Sequence, residues 1–223
     1  VQSDRQILNL TPFEVQFNDY RPFFTEGTEL FSKGNFFYSR RIGGINIDYS
    51  KLKLGQEIIS TPAEAPLINA TKISGRTKNG LGIGFLNAIT APVDAIVQDT
   101  QTKEQSSIQV QPLINYNIMV FDQTFGNNSS VSLINTNVLR TGSAYDANVS
   151  AALFNLNNKK NTYNFSGKLA LSFFNGNEIE KDGKMGYSQS LSIGRTSGKI
   201  NWNIYHELVD DKFNSNDLGY FTN

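Results

Sequence analysis

At 223 residues, with 16 Phe, 9 Tyr and 18 Gly in a chain only 39% hydrophobic, the sequence reads as strands and turns in one large or two small β domains. Its 20 basic and 20 acidic residues cancel, which leaves no electrostatic case for nucleic acid as a partner. The lack of cysteine removes disulfides and thiolate chemistry, and the lack of any run of 18 apolar residues argues against a membrane-crossing helix but not against a β-barrel.

The chain opens "VQSDRQ", without an initiator Met or a signal peptide, and reads as a mature piece or fragment of a longer protein. Over residues 1–66 the aromatics come in clusters, in "QILNLTPFEVQFNDYRPFFTEGTELF" and "NFFYSRRIGG", with turn signals at Asn18-Asp19 and Lys33-Gly34. This part is expected to form an N-terminal hairpin and a plug-like segment in a lumen rather than regular strands throughout, ending in an irregular connection at Thr61–Pro66. It carries the best carboxylate pair, Glu26 and Glu29. A glycosidase needs two such groups about 5 to 10 Å apart, one protonated and one ionised. The competing reading has Glu26 and Arg21 satisfying each other in a packed turn beside Phe23 and Phe24.

From residue 67 to 223 period-two alternation recurs, predicting about eight strands. "LINATKISGRT" leads through Lys78-Asn79-Gly80, a type I′ hairpin signal, into "LGIGFLNAIT". "SIQVQPLINYNIMVF" follows as one long strand with Ile108, Val110, Ile114, Tyr116, Ile118 and Val120 on its apolar face. "VSLINTNVL" faces either way, and "YDANVSAALF" sets Ala147, Val149 and Ala151 against Asn148 and Ser150. In "NTYNFSGKLALSFFNG", Tyr163, Phe165, Leu169, Leu171 and Phe173 oppose Asn164, Ser166, Lys168 and Ser172. "KMGYSQSLSIGR" and "KINWNIYHELV" complete the set, and short turns between them predict an antiparallel meander. "GLGIG" at Gly80–Gly84 lacks the G-x-G-x-x-G spacing and a following helix, so close packing of the strand is its reading.

Alternation alone does not separate a soluble sandwich from a membrane barrel, which turns its apolar face outward. The polar faces are mostly Ser, Asn, Gln, Gly and Thr with few charges, and the apolar faces are long with aromatics toward their ends. Both features favour an all-β, antiparallel transmembrane β-barrel. Tyr116, Tyr163, Phe165, Phe173, Tyr187 and Trp202 are then the lipid-facing aromatic girdle, and Arg40, Arg41, Lys72, Arg76 and Lys168 place charge in the lumen. The competing reading pairs these cations with Glu26, Glu29 or Asp48. His206, the single histidine, shares the apolar face of its strand with Trp202 and Ile204; no metal site and no cofactor is expected.

The ordered series "LNLTPFEVQFNDYRPFFTEGTELF", "NFFYSRRIGG" and "ISGRTKNGLGIGFLNAIT", with "SLINTNVLR" and "NDLGYF" later, resembles an uncharacterised C-terminal barrel domain of large Bacteroidota outer-membrane proteins. The resemblance runs from about Asp4 to Phe221. It implies an outer-membrane location in a Gram-negative bacterium, an upstream domain similar to family 9 carbohydrate-binding modules, and further strands that make these eight part of a larger barrel. A structural, transport or surface-anchoring role linked to glycan capture is the expected function. Its partners would be outer-membrane lipid, a glycan or small solute, and a larger envelope complex. The alternatives are a membrane-embedded hydrolase using Glu26 and Glu29, and a barrel that serves as subunit or client of an envelope assembly.

Overall fold

A computed structural model describes residues 15–126, 128–176 and 185–220; the first part of the resembling series, most of the Asn175–Lys184 turn and Phe221 lie outside them. The alternation resolves into strands β1 (Gln56–Ser60), β2 (Leu67–Arg76), β3 (Leu81–Thr90), β4 (Val93–Asp99), β5 (Gln105–Gln111) and β6 (Ile114–Phe125). Then come β7 (Ser129–Arg140), β8 (Asp146–Asn157), β9 (Tyr163–Asn175), β10 (Met185–Arg195) and β11 (Trp202–Val209). Every pairing among the described residues is antiparallel. The fold is all-β.

Eight strands form one sheet in the order β11-β10-β9-β8-β7-β6-β3-β2, and β1-β4-β5 form a second, small sheet. No pairing among the described residues joins β2 to β11, so the large sheet is open at both edges. The expected long strand from Ile108 to Val120 is two strands in two sheets. Pro112 has no N–H for the ladder, and the chain changes sheet at Gln111–Leu113. The hairpin of β4 and β5 is thus an excursion from the meander, with a small core of Ala65, Val93, Ala95 and Val110. The β2–β3 turn also differs from the type I′ form. Only Gly80 has positive φ, at 82°, and its N–H donates to the Thr77 carbonyl at 3.0 Å.

The two faces of the large sheet are not alike. One face of β3, β6, β7 and β8 is buried, with Leu86, Ala88, Ile114, Tyr116, Ile118, Val120, Ile134, Val138, Val149 and Ala151 in a single cluster. Tyr116 is 3% exposed on this inner face, not on the outer girdle where alternation suggested it; the apolar side of β6 meets the N-terminal segment instead of the surroundings. In β9 and β10 the assignment reverses: Tyr163, Phe165, Leu171, Phe173, Leu191 and Ile193 are exposed, with Ser166, Ser172, Gly186, Ser188, Ser190 and Ser192 on the opposite face, while β11 is exposed on both faces and adds Trp202 to the outer one.

What covers the inner face is the segment from Arg21 to Ile42, one short helix α1 (Pro22–Thr25) followed by 3-10 turns. Pro22 opens α1, where its missing N–H costs nothing. Phe24, Leu30, Phe31, Phe36 and Ile42 carry the segment into the main core, joined there by Phe213 and Leu218 from the chain's end. Gly82 and Gly84 explain the "GLGIG" run. A Cβ on Gly82 would lie 2.7 Å from a Leu30 methyl, and one on Gly84 3.1 Å from the Phe31 ring. The strand is left bare where Leu30 and Phe31 press against it.

Candidate functional site

Asp122 is the one carboxylate on the inner face of β6, in register with Ile118 and Val120, and it is 0% exposed. Isolated, such a charge would be costly; here three groups meet it. Lys33 from the N-terminal segment forms an ion pair with Oδ1, Ser132 from β7 donates to Oδ1 at 2.6 Å, and Arg76 from β2 reaches Oδ2 at 2.7 Å. Arg76 also pairs with Glu29 at 2.9 Å and donates to the Gly80 carbonyl at 3.0 Å. Four residues upstream on the same face, Lys72 donates to the carbonyls of Phe23 and Glu26 and lies 5.0 Å from the Phe23 ring. Together they clamp residues 23–33 to β2, β6 and β7.

A second clamp holds the other end. Arg140, at the end of β7, forms an ion pair with Asp217, donates to the Tyr145 carbonyl at 2.8 Å and lies over the Tyr145 ring at 4.4 Å. The Tyr145 hydroxyl donates to the same Asp217 carboxylate at 3.0 Å. Burial, reinforced by the Asp217 charge, pushes that hydroxyl up to about 12. A third anchor is Arg21, which pairs with Asp19 at 2.7 Å and donates to the carbonyls of Ile42 and Ser39, both at 2.9 Å. Burial alone would raise the Asp19 carboxyl. Hydrogen bonds from Arg21 and Ser39 outweigh it and hold Asp19 well below the usual carboxylate range.

Beside the second clamp lies a cleft of about 750 Å³, between residues 40–51, the end of β5, the start of β6 and the 141–145 turn. Arg40 and Arg41 line it from the 3-10 turn Ser39–Arg41. Arg40 also donates to the Asn18 carbonyl at 3.3 Å, and Arg41 to the Gly219 carbonyl at 3.3 Å.

The outer face is organised by register. Asn87, Asn117, Asn137 and Asn148 stand directly opposite one another across β3, β6, β7 and β8. Their amides interlock with neighbours: Asn87 donates to Asn115 at 2.7 Å and Asn117 at 2.9 Å, and Asn135 to Ser150 at 2.9 Å. Further along the strands, away from this amide row, Ile83, Phe121 and Leu133 are exposed and continue as Leu169 and Leu171 on β9, then Leu191 on β10. Tyr163 and Trp202 meet at one rim of this apolar belt, with ring centroids 6.5 Å apart.

The sequence-derived sites separate accordingly. Lys72, Arg76 and Lys168 are on the inner face, and each meets the N-terminal segment, Lys168 at 6.0 Å from the Phe36 ring. Glu26 and Glu29 are exposed, Glu29 is paired with Arg76, and neither lines the cleft. Tyr163, Phe165, Phe173, Tyr187 and Trp202 are exposed on the outer face. Sequence reading missed Asp122, Arg140 and Asp217. Asp122 left a signal, a lone carboxylate in phase with the apolar residues of its strand. Asp217 left none, because its partner is 77 residues away. Among the described residues no group of three or more His, Asp or Glu is placed to hold a metal ion.

The family model of a domain of unknown function (DUF5916) matches residues 1–223. No curated protein and no solved structure matches the chain.

Proposed function

The chain belongs to the DUF5916 family, and from that premise we propose that it forms the wall and internal plug of an outer-membrane β-barrel. The observation that carries this reading is the exposed apolar belt on the outer face of the eight-stranded sheet. On β9 the exposed apolar residues run from Tyr163 to Phe173, the last opposite Asn148 of the amide row, about 33 Å along the strand at roughly 3.3 Å per residue. A tilt of about 40° shortens that to about 25 Å, the height of the apolar band on outer-membrane barrels. A soluble sheet of this size would present charge there; a lipid-facing one presents Phe, Leu, Ile and Trp. Lipid also forbids bare sheet edges, so in this reading β2 and β11 are paired, by each other or by further strands of a larger barrel.

The resemblance to Bacteroidota barrel domains that follow a carbohydrate-module-like domain supports a role in surface anchoring or solute uptake, with the N-terminal segment closing the lumen. Fractionation tests the membrane reading. The full chain is expected in the outer-membrane fraction, extracted only by detergent, and shifted in electrophoretic mobility by heating. A compact monomer in water without detergent would overturn it.

A further inference from the structure

We infer that the turn-bearing end of the large sheet, at Arg195 and the lysines beside it, is a binding surface for the phosphate headgroups of anionic bilayer lipids. The inference rests on the lipid-facing reading of the apolar belt. Four turns reach this end, at 77–80, 126–128, 158–162 and 196–201, and hydrogen bonds tie them to neighbouring strands and to one another. Gln123 donates to the Asn79 carbonyl at 2.9 Å, Asn157 to the Asn128 carbonyl at 2.8 Å, and the Thr196 hydroxyl to the Asn161 carbonyl at 3.0 Å. Their charge has one sign. Lys78, Lys159, Lys160 and Lys199 lie in these turns and Arg195 ends β10, while the same stretches contain no Asp or Glu. All four lysines are exposed, and none forms an ion pair among the described residues. Glu29 and Asp122, on the inner side at this end, are held by Arg76. The opposite end is mixed: the sequence 176–184 has three carboxylates and two lysines, and 210–212 has two carboxylates and one lysine.

The order of groups along the strands fits lipid. The exposed apolar residues of β9 and β10 end at Tyr163 and Ile193. Arg195 comes next on the outer face of β10, in register with Tyr163 on one side and Trp202 on the other. Those two rings have their centroids 6.5 Å apart. The guanidinium is carried past them into the β10–β11 turn. Its Nε donates to the Ser197 carbonyl at 3.0 Å, and a Cβ on Gly198 would lie 2.7 Å from one of its terminal nitrogens. Gly198, at φ 112°, leaves the space in which the guanidinium rests. One nitrogen is thus fixed by the chain, and the terminal pair meets no carboxylate among the described residues. Such a planar, oriented donor pair suits phosphate oxygens. Aliphatic belt, aromatic pair, fixed guanidinium and exposed lysines follow one another outward, in the order in which a leaflet presents acyl chains, interface and phosphates. A free phosphate would need no aromatic step beneath the cations.

Trp202 is the chain's single tryptophan, so its fluorescence reports on this rim. The test reconstitutes the full chain into phosphatidylcholine vesicles that contain the same minor fraction of either brominated phosphatidylglycerol or brominated phosphatidylcholine, and measures Trp202 quenching. Brominated phosphatidylglycerol is expected to quench about threefold more effectively at low salt, with the preference falling toward parity at high salt. Arg195→Gln and, separately, the exposed double variant Lys159→Gln/Lys160→Gln should each reduce that preference and leave quenching by brominated phosphatidylcholine unchanged. Quenching by both lipids without preference, or a preference that survives both variants, would overturn the inference and leave the belt reading intact. Quenching by neither lipid would overturn both. Loss of the preference on adding inorganic phosphate at constant ionic strength would assign the rim to a free anion, and overturn the lipid assignment.

Discussion

In β3, β6, β7 and β8 the aliphatic face is turned inward and the amides outward; in β9, β10 and β11 the outer face carries Tyr163, Phe165, Phe173, Tyr187 and Trp202, and the inner face carries the serines of β9 and β10 with Phe174 and Tyr205. Both groups belong to one sheet with continuous register, so the difference lies in what each is packed against. The first lies under the N-terminal segment, which brings Leu30, Phe31 and Phe36 to it, and its inner face behaves as a protein core. The second is covered mainly near Gly186 and Ala170, leaving an inner surface of Ser166, Lys168, Ser190 and Ser192. Alternation reports that a strand has two faces; the neighbour decides which one is covered.

The largest expected effect breaks the first half from inside. Asp122→Ala leaves Lys33 and Arg76 without their shared carboxylate, a loss of about 3–5 kcal/mol, read as a lowered urea midpoint. An unchanged midpoint would mean that the clamp does not hold the segment. The two outer faces are compared next by inserting charge in each. Leu171→Arg should cost about 2–4 kcal/mol in a lipid bilayer, whereas Asn137→Arg, on the amide row, should cost about 0–1 kcal/mol. Equal costs in refolding titrations would erase the distinction between the halves.

A smaller effect tests the fit of the segment. Gly84→Val drives two methyls toward the Phe31 ring and should destabilise by about 1–3 kcal/mol, with Phe31→Ala in the same chain recovering part of the loss. The smallest effect is acidic. Because the folded Asp19 carboxyl is held below its ordinary range, its contribution is full above about pH 5 and is lost as pH falls through the unfolded value near 3.9 and onward. Proteolysis between Arg21 and Ser39 should therefore rise on acidification, and Asp19→Asn should show that rise already at neutral pH.

The β9–β11 half was legible in the sequence because its faces differ in chemistry as well as in period. Tyr163, Phe165, Leu169, Leu171 and Phe173, read from the sequence as the outward set, are the exposed set in the structure. The β3–β8 half was legible only as strands. Asn115 and Asn117 look like a lumen lining, and Ile114 to Val120 look like a lipid face, until the covering segment is in place. That segment has no period to read: its buried residues sit in 3-10 turns, and its contacts with β2 and β6 span tens of residues. The same holds for the cleft, whose walls come from four separate parts of the chain.

Gly82 and Gly84 carry a consequence for descent as well as for packing. Each glycine and the side chain above it divide one fixed volume, Leu30 over Gly82 and Phe31 over Gly84. A lineage that gains a side chain at 84 survives by shrinking position 31, and one that loses the ring at 31 is free to fill 84. Across divergent members of the family, the sizes at 30 and 82, and at 31 and 84, should vary in opposition, a trace of the buried contact that comparison of sequences alone can recover.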